Sequence, residues 1–403
     1  MDKFTEYQLN KNRLLLIQKL EGFELFDNRY KEIKCINCDR KTGKPKRGGF
    51  SIVFKAYDIQ LEVWVALKFF DPNISYFNTY RILAFQREPE ILKKLINRKR
   101  CLQLVSDLKT YHIPVVDNES GMDVTLECQY FAIDWIENKI DQYFEKQEQY
   151  NAKDKLIIFD NIVLAVAALH RHEVSHRDIK YDNLREYSEN LKKLVVAIDL
   201  GCAAYYEIPK INVNYSEPVG HKWYSSPESY CGLAGDCSLS HYTDIYALGC
   251  LLFEMFNMDF YYHVLNLDDD YKSGLGAIIV ECMMLDNVTS KKEVFLTFIK
   301  SYKVGMAVPD ICQPGNTVPN SISDELNYLL KKLTAPDPAD RIDDLNWVSR
   351  RIKTMIKIID HNAYQQKRIM EKKKLRELRV QKYIVQQTRL QQHLENNFLL
   401  DSK

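Results

Sequence analysis

An excess of charge of either sign, long apolar runs and clustered metal-type cysteines are all missing from this 403-residue sequence. Lys and Arg number 56 against 55 Asp and Glu, so the whole-chain balance offers no argument for a nucleic-acid or membrane partner. The most apolar stretches, Ile157 to Leu169 and Ala247 to Phe256, are interrupted by Asp160, Asn161 and Glu254. They fall short of the roughly 18 residues that a spanning helix needs, which predicts no transmembrane segment. No secretory leader stands at the start and the ten cysteines are scattered, which predicts reduced thiols and a cytoplasmic location. Cys35-x-x-Cys38 has no second close pair to complete a four-ligand zinc site, so ordinary thiols are expected there. There is no internal repeat. A hydrophobic fraction of 46% remains, ample for a substantial globular core.

Strand patterns come first along the chain and helical ones later. Ser51–Ala56 and Val63–Phe69 read as a hairpin joined near Tyr57-Asp58, and alternation returns over Asp123 to Ile136. Between them, Phe85 to Leu95 has a helical face of Ile91, Leu92 and Leu95, with Pro89 leaving its N-terminal boundary open. From about Ile140 the pattern turns helical, and Leu156 to His172 is strongly apolar on one side. This order fits a small sheet-rich lobe joined near Asp134 to Asn138 to a larger helical one. Arg350 to Lys403 lacks Gly and Pro and carries 14 Lys or Arg against five Asp or Glu, which predicts a helical extension or a partly ordered tail. Its apolar residues hold no sustained heptad.

Candidate chemistry gathers in three places. Lys46-Arg47-Gly48-Gly49-Phe50-Ser51 precedes a strand, where a turn short of side chains lets backbone N–H groups approach phosphate oxygens. Lys68 ends the apolar run Val65-Ala66-Leu67 and needs an anion there; Glu88 on the next helix offers one, with Glu90 as competitor. The third is His176-Arg177-Asp178-Ile179-Lys180-Tyr181-Asp182-Asn183. In a loop, Asp178 could accept a hydroxyl proton, Lys180 could neutralise a travelling phosphoryl group and Asn183 could ligate a divalent ion. Sixteen residues further on, a strand delivers Asp199-Leu200-Gly201, a hard oxygen ligand suited to Mg²⁺.

With these segments in this order, the sequence from about Asn28 to Ile352 resembles the eukaryotic-type protein kinase family, Ser/Thr kinases in particular. The resemblance implies an α+β, bilobal fold: a small antiparallel-sheet N-lobe with one main helix to about residue 136, and a larger, mainly helical C-lobe from about 138. Residues 1–27 would be an N-terminal extension, 28–352 the kinase domain and 353–403 a basic helical C-terminal extension. It implies ATP and Mg²⁺ as cofactors, with Mn²⁺ able to substitute, and transfer of the γ-phosphate to Ser/Thr of protein substrates, with autophosphorylation. By the same likeness Lys68 pairs with Glu88, Asp178 is the catalytic base, Lys180 sits beside the γ-phosphate, and Asn183 and Asp199 hold the metal. Gly48, Gly49, Phe50 and Ser51 would cover the phosphates, with Val53 and Ala66 also lining the nucleotide site. Asp134 to Ile136 would take adenine, behind which Ile133 stands. Ser226-Pro227-Glu228, Asp244 and Arg341 look like the family's scaffold residues.

Three departures bear on activity. Lys46 and Ser51 stand where the first and third glycines of the phosphate loop usually lie, Leu200 replaces a Phe, and His221 occupies a position where related kinases carry Thr. The His221 imidazole could bond to Asp178 or turn outward. These departures keep a second function in view, a pseudokinase scaffold that binds nucleotide or a partner without turnover. Arg177 is expected to bind a phosphate on the segment Cys202 to Val219, where Tyr215 and Ser216 are among the acceptors. The basic tail offers a surface for an acidic protein or nucleic acid.

Overall fold

Strict alternation over Ser51–Asp58 buries Ile52, Phe54 and Ala56 on one face, while Val63–Phe70 is buried on both faces through its middle. The second pattern needs a layer on each side of the sheet, and the fold supplies both. The computed structural model describes residues 3–46, 51–72, 79–116, 123–208, 215, 218–257, 259–302, 308–311 and 318–400. Its N-terminal part contains α1 (Lys3–Glu21), β1 (Tyr30–Cys35), β2 (Ser51–Asp58), β3 (Val63–Phe70), α2 (Thr79–Lys94), β4 (Leu104–Val116) and β5 (Asp123–Asp134). The strands form one antiparallel sheet in the order β1-β2-β3-β5-β4.

Because successive side chains of a strand point to opposite faces, β3 sends Val65, Leu67 and Phe69 one way and Ala66 and Lys68 the other. The first set packs with Leu16, Ile17 and Leu20 of α1, with Phe26 and with Tyr130, whose ring stacks on Phe69 at 4.8 Å. Leu16 to Phe26, within the segment read from sequence as an extension, thus supply part of this core. The opposite face meets α2, where Phe85, Ile91 and Leu92, with Leu95 just past its end, join the main core. This helix starts at Thr79 and runs through Pro89, so the proline is not its boundary.

The remainder is mostly helical: β6 (Asn138–Lys139), α3 (Gln142–Glu145), α4 (Ala152–His170), β7 (Val174–Ser175), β8 (Leu184–Glu189), β9 (Lys192–Ala197), β10 (Ala204–Tyr205), α5 (Pro227–Tyr230), α6 (Tyr242–Phe256), α7 (Tyr261–Leu265), α8 (Asp269–Met283), α9 (Val288–Tyr302), α10 (Asn320–Leu333) and α11 (Leu345–Leu400). The Asn151 side chain caps α4 by accepting the Asp154 N–H at 3.0 Å. From Thr243 to Phe256 every residue of α6 is buried, the pattern of a helix at the centre of a lobe. The first turns of α11 bury Leu345, Val348, Ile352 and Met355, whereas residues 361–390 are exposed throughout. Among the described residues no helix is long and apolar enough to cross a membrane.

Candidate active site

The face of β3 that carries Lys68 looks onto α2 and onto the end of β9. The Lys68 ammonium donates to both oxygens of Glu88, at 2.9 and 2.7 Å, and to Asp199 Oδ1 at 2.6 Å. Burial works against its charge, but Asp199 and Glu88 outweigh that and hold Lys68 above its ordinary pKa. Glu88 is itself buried, and its Oε1 also accepts the Leu200 N–H at 3.1 Å. Glu90, the competing candidate, is exposed and paired with Lys93.

Asp199 has φ 62° and ψ 69°, a left-handed conformation rare for a residue with a Cβ. It leaves the carboxylate 45% exposed toward the cleft. Against the cost of partial burial, Lys68 beside it keeps Asp199 below the usual carboxylate range. Leu200, standing where a Phe was expected, is buried.

Asp178 sits in a cage of donors. Its Oδ2 accepts from Asn183 Nδ2 at 2.8 Å and lies 3.1 Å from Lys180 Nζ, and its Oδ1 accepts the His221 N–H at 2.7 Å. The loop that carries it is fixed from below by Asp244, whose two oxygens accept the His176 and Arg177 N–H groups, both at 2.7 Å. His170 Nε2 lies 2.9 Å from the same carboxylate. Burial opposes ionisation of Asp244, but the His170 contact leads the interactions that keep its pKa low. The Ile198 N–H donates to Asn183 O at 2.8 Å and so ties this loop to the strand that presents Asp199. Farther out, Arg341 and Glu228 make a fully buried bidentate pair at 2.6 and 2.8 Å.

His221 approaches Asp178 through its backbone alone. The imidazole Nδ1 accepts the Trp223 N–H at 3.3 Å, capping the 3₁₀ turn Lys222–Tyr224, and the ring lies 5.1 Å from Trp223 and 5.8 Å from Tyr224. Of the two orientations open in the sequence, a ring bonded to Asp178 or one turned away, the structure has the ring held by its own turn. Burial, with Lys180 close by, pushes its pKa down.

Of the nucleotide residues, Ser51 opens β2 opposite Phe70, Val53 pairs with Lys68 and Ala66 pairs with Ile133. Asp134 donates its N–H to Gln103 O at 3.1 Å, while Ile136 has no backbone partner among the described residues. Gly48, Gly49, Phe50 and Ser216 lie outside the described residues. Arg177 is buried and donates to Cys202 O at 2.7 Å and Ala234 O at 3.1 Å, with the Tyr215 ring 5.7 Å from its guanidinium carbon. Cys35 and Cys38 are buried free thiols, and no group of three or more ligand-type residues gathers among the described residues.

The oxygen donors fit a hard divalent cation: Asn183 spends its amide nitrogen on Asp178, leaving its side-chain oxygen for a ligand, and the Asp199 carboxylate opens to the same cleft. One residue escaped the sequence reading altogether. Gly220, at φ +84°, passes so close to the loop that a Cβ there would lie 2.3 Å from Arg177 O. Its only sequence signal was a glycine next to His221.

Comparison with known proteins gives the same direction. Residues 42–351 match a family model described as a protein kinase domain. The chain is 28% identical over 212 residues to calcium-dependent protein kinase 22 of Arabidopsis thaliana, covering 51% of this chain and 39% of that protein. It is 30% identical over 212 residues to a probable cell division protein kinase of Encephalitozoon cuniculi, covering 53% of this chain and 69% of that protein. Over 241 residues it is 29% identical to serine/threonine-protein kinase PknD of Chlamydia trachomatis, covering 54% and 24% respectively. It therefore spans well under two thirds of the first and third of these relatives.

Proposed function

This chain belongs to the protein kinase family, and from that premise we propose that it is an active enzyme that transfers the γ-phosphate of Mg-ATP to Ser and Thr hydroxyls of proteins. The observation that carries the reading is the caged carboxylate of Asp178. A base that must accept a proton from a hydroxyl works only if it is aimed, and three donors aim this one. Lys180 shares that carboxylate and stands ready to neutralise a phosphoryl group in flight.

Lys68 would hold the nucleotide phosphates, kept in place by Glu88. Asn183 and Asp199 would hold Mg²⁺, which would offset the charge of the nucleotide phosphates. The unpaired backbone of Ile136 suits the hydrogen-bonding edge of adenine. Specificity for Ser/Thr rests on Lys180 two residues after Asp178 and on the resemblance to Ser/Thr kinases.

Incubation of the purified chain with labelled ATP, Mg²⁺ and a generic protein substrate tests this, with Asp178→Asn and Lys68→Ala as controls. Labelling of Ser and Thr by wild type and its loss in both variants is expected. Nucleotide binding without transfer would favour the scaffold, a reading kept in view by Lys46 and His221.

A further inference from the structure

Once α11 has left its packed turns, every residue from 361 to 390 is exposed. Within that length, Lys367 to Lys382 holds eight Lys or Arg against two Glu, a net of +6. The whole chain stands at +1, so its other residues together carry −5. The positive charge is thus gathered on a rod attached to a body of the opposite sign. None of the eight cations forms an ion pair among the described residues, and Arg368 rests over the Tyr364 ring at 5.8 Å. Several of them oppose one another. Arg368, Lys372 and Arg376 recur every four residues and Arg376, Arg379 and Lys382 every three, spacings at which like charges destabilise a helix. Anions lying between them relieve that repulsion.

The angular distribution of the charges selects the kind of anion. At about 100° per residue, Lys367, Lys374 and Lys382 fall on one flank of the helix and Lys373 and Arg376 on the opposite flank. Arg368, Lys372 and Arg379 occupy the face between the flanks. The remaining arc, about 100° wide, holds Met370 and Glu377. Exposed apolar side chains do not gather either: Ile369 and Val380 lie roughly 160° around the helix from Leu375 and Leu378. A helix that lies on a membrane, seats in a protein groove or zips to a second copy of itself needs one apolar stripe. From 367 to 382 there is none. A DNA duplex matches the pattern that is present. Its major groove, about 12 Å wide, admits a helix about 10–12 Å across, with a phosphate strand along each flank and base-edge acceptors at the floor. Sixteen residues extend about 24 Å, less than the ~34 Å of one duplex turn, so a straight rod ends before the groove curves away from it. The major groove of an RNA duplex is too narrow and deep to take it.

We propose that Lys367 to Lys382 of α11 binds double-stranded DNA in its major groove, the two cationic flanks on the two phosphate strands and Arg368, Lys372 and Arg379 toward the base edges. Most of the charge meets phosphate, so the contact is largely independent of base sequence. It stands apart from the catalytic reading, because no residue of the cleft takes part in it.

The test uses the full chain and a fluorescein-labelled DNA duplex of about 20 base pairs, with binding read by anisotropy over a series of salt concentrations. The logarithm of the binding constant should fall against that of salt with a slope of about −4 or steeper, since each phosphate contact contributes about −0.9. The combined change Lys367→Gln, Lys374→Gln and Lys382→Gln should make the slope shallower by about three, and Lys373→Gln with Arg376→Gln by about two. All five positions are exposed, so urea midpoints should stay at the wild-type value. Ending the chain after Asp360 should abolish binding. Single-stranded DNA, an RNA duplex, polyglutamate and phosphatidylserine vesicles, each at equal anion concentration, should compete at least about tenfold less well than unlabelled duplex DNA. Equal competition by any of these four, a slope that responds to only one flank, binding that survives the truncation, or no binding at low salt overturns the proposal.

Discussion

Replacing Gly220 by alanine isolates what positions the proposed base. At φ +84° any side chain is strained by about 1–2 kcal/mol, and the new Cβ would lie 2.3 Å from Arg177 O and 3.0 Å from Asp178 Oδ1. One of these must yield. The Arg177 peptide is held by Asp244 at 2.7 Å, and its guanidinium is bonded to Cys202 and Ala234, so the displacement falls on residues 220 and 221. The His221 N–H is then drawn off Asp178, a hydrogen bond to a charged group contributing ~1.5–3 kcal/mol. A misplacement of about 1 Å at a reacting group costs roughly a hundredfold. Gly220→Ala should therefore lower kcat/KM by about that factor or more, with the loss in kcat, while nucleotide affinity, proposed above to rest on Lys68, changes little. Gly276→Ala is the control: nothing lies within 4 Å of its Cβ, and in a helix the change should stabilise by up to about 1 kcal/mol. Steady-state kinetics and urea denaturation of both variants decide the matter. Wild-type kcat in Gly220→Ala would refute the argument that this close approach aims Asp178.

Breaking the buried pair by Arg341→Met should destabilise the helical lobe by about 3–5 kcal/mol, because Glu228 is left uncompensated; the double change Arg341→Met with Glu228→Leu should recover much of that in the same urea titration. Asp244→Asn loses the charge that two backbone N–H groups and His170 share, and turnover should fall at least tenfold with a lower unfolding midpoint. Glu254 titrates near 8 when folded against an ordinary 4.5. Between these values the unfolded chain gives up the proton first, so stability should fall as pH rises, by up to ~1.4 kcal/mol per unit, and Glu254→Gln should flatten that slope in urea midpoints taken from pH 5 to 8. Ending the chain after Asp360 keeps the Lys153–Asp360 pair and removes residues exposed throughout 361–390, so the midpoint should stay at its wild-type value.

What could be read from sequence was local chemistry set between apolar segments. Asp178, Lys180, Asn183 and Asp199 stand out because a core-forming chain does not otherwise place such residues at those intervals, and the family model covers the same stretch. Contacts made by the backbone were hidden. His221 was noticed for its ring, yet the atom that reaches Asp178 is its amide nitrogen, which any non-proline residue would carry. The helix through Pro89 was equally opaque. Proline forfeits a hydrogen bond within a helix, and the burial of Phe85, Ile91, Leu92 and Leu95 around it offsets that loss where α2 runs through Pro89. Leu16, Ile17 and Leu20 reach the sheet core from a polar helix whose pattern alone gave no sign of docking. Nor could the cavity lined by Glu145, Glu148 and Glu254 be seen, since these residues come from segments more than a hundred residues apart.

The long final helix has a geometric consequence. It leaves its packed segment near Asp360 and continues to Leu400, about 60 Å at 1.5 Å per residue. A flexible tail of equal length would let bound cargo wander back to the cleft at a local concentration set by chain statistics. A rod holds it at one radius and one bearing. Anything gripped near its far end is thereby held on a stiff arm at a fixed distance from the packed segment near Asp360.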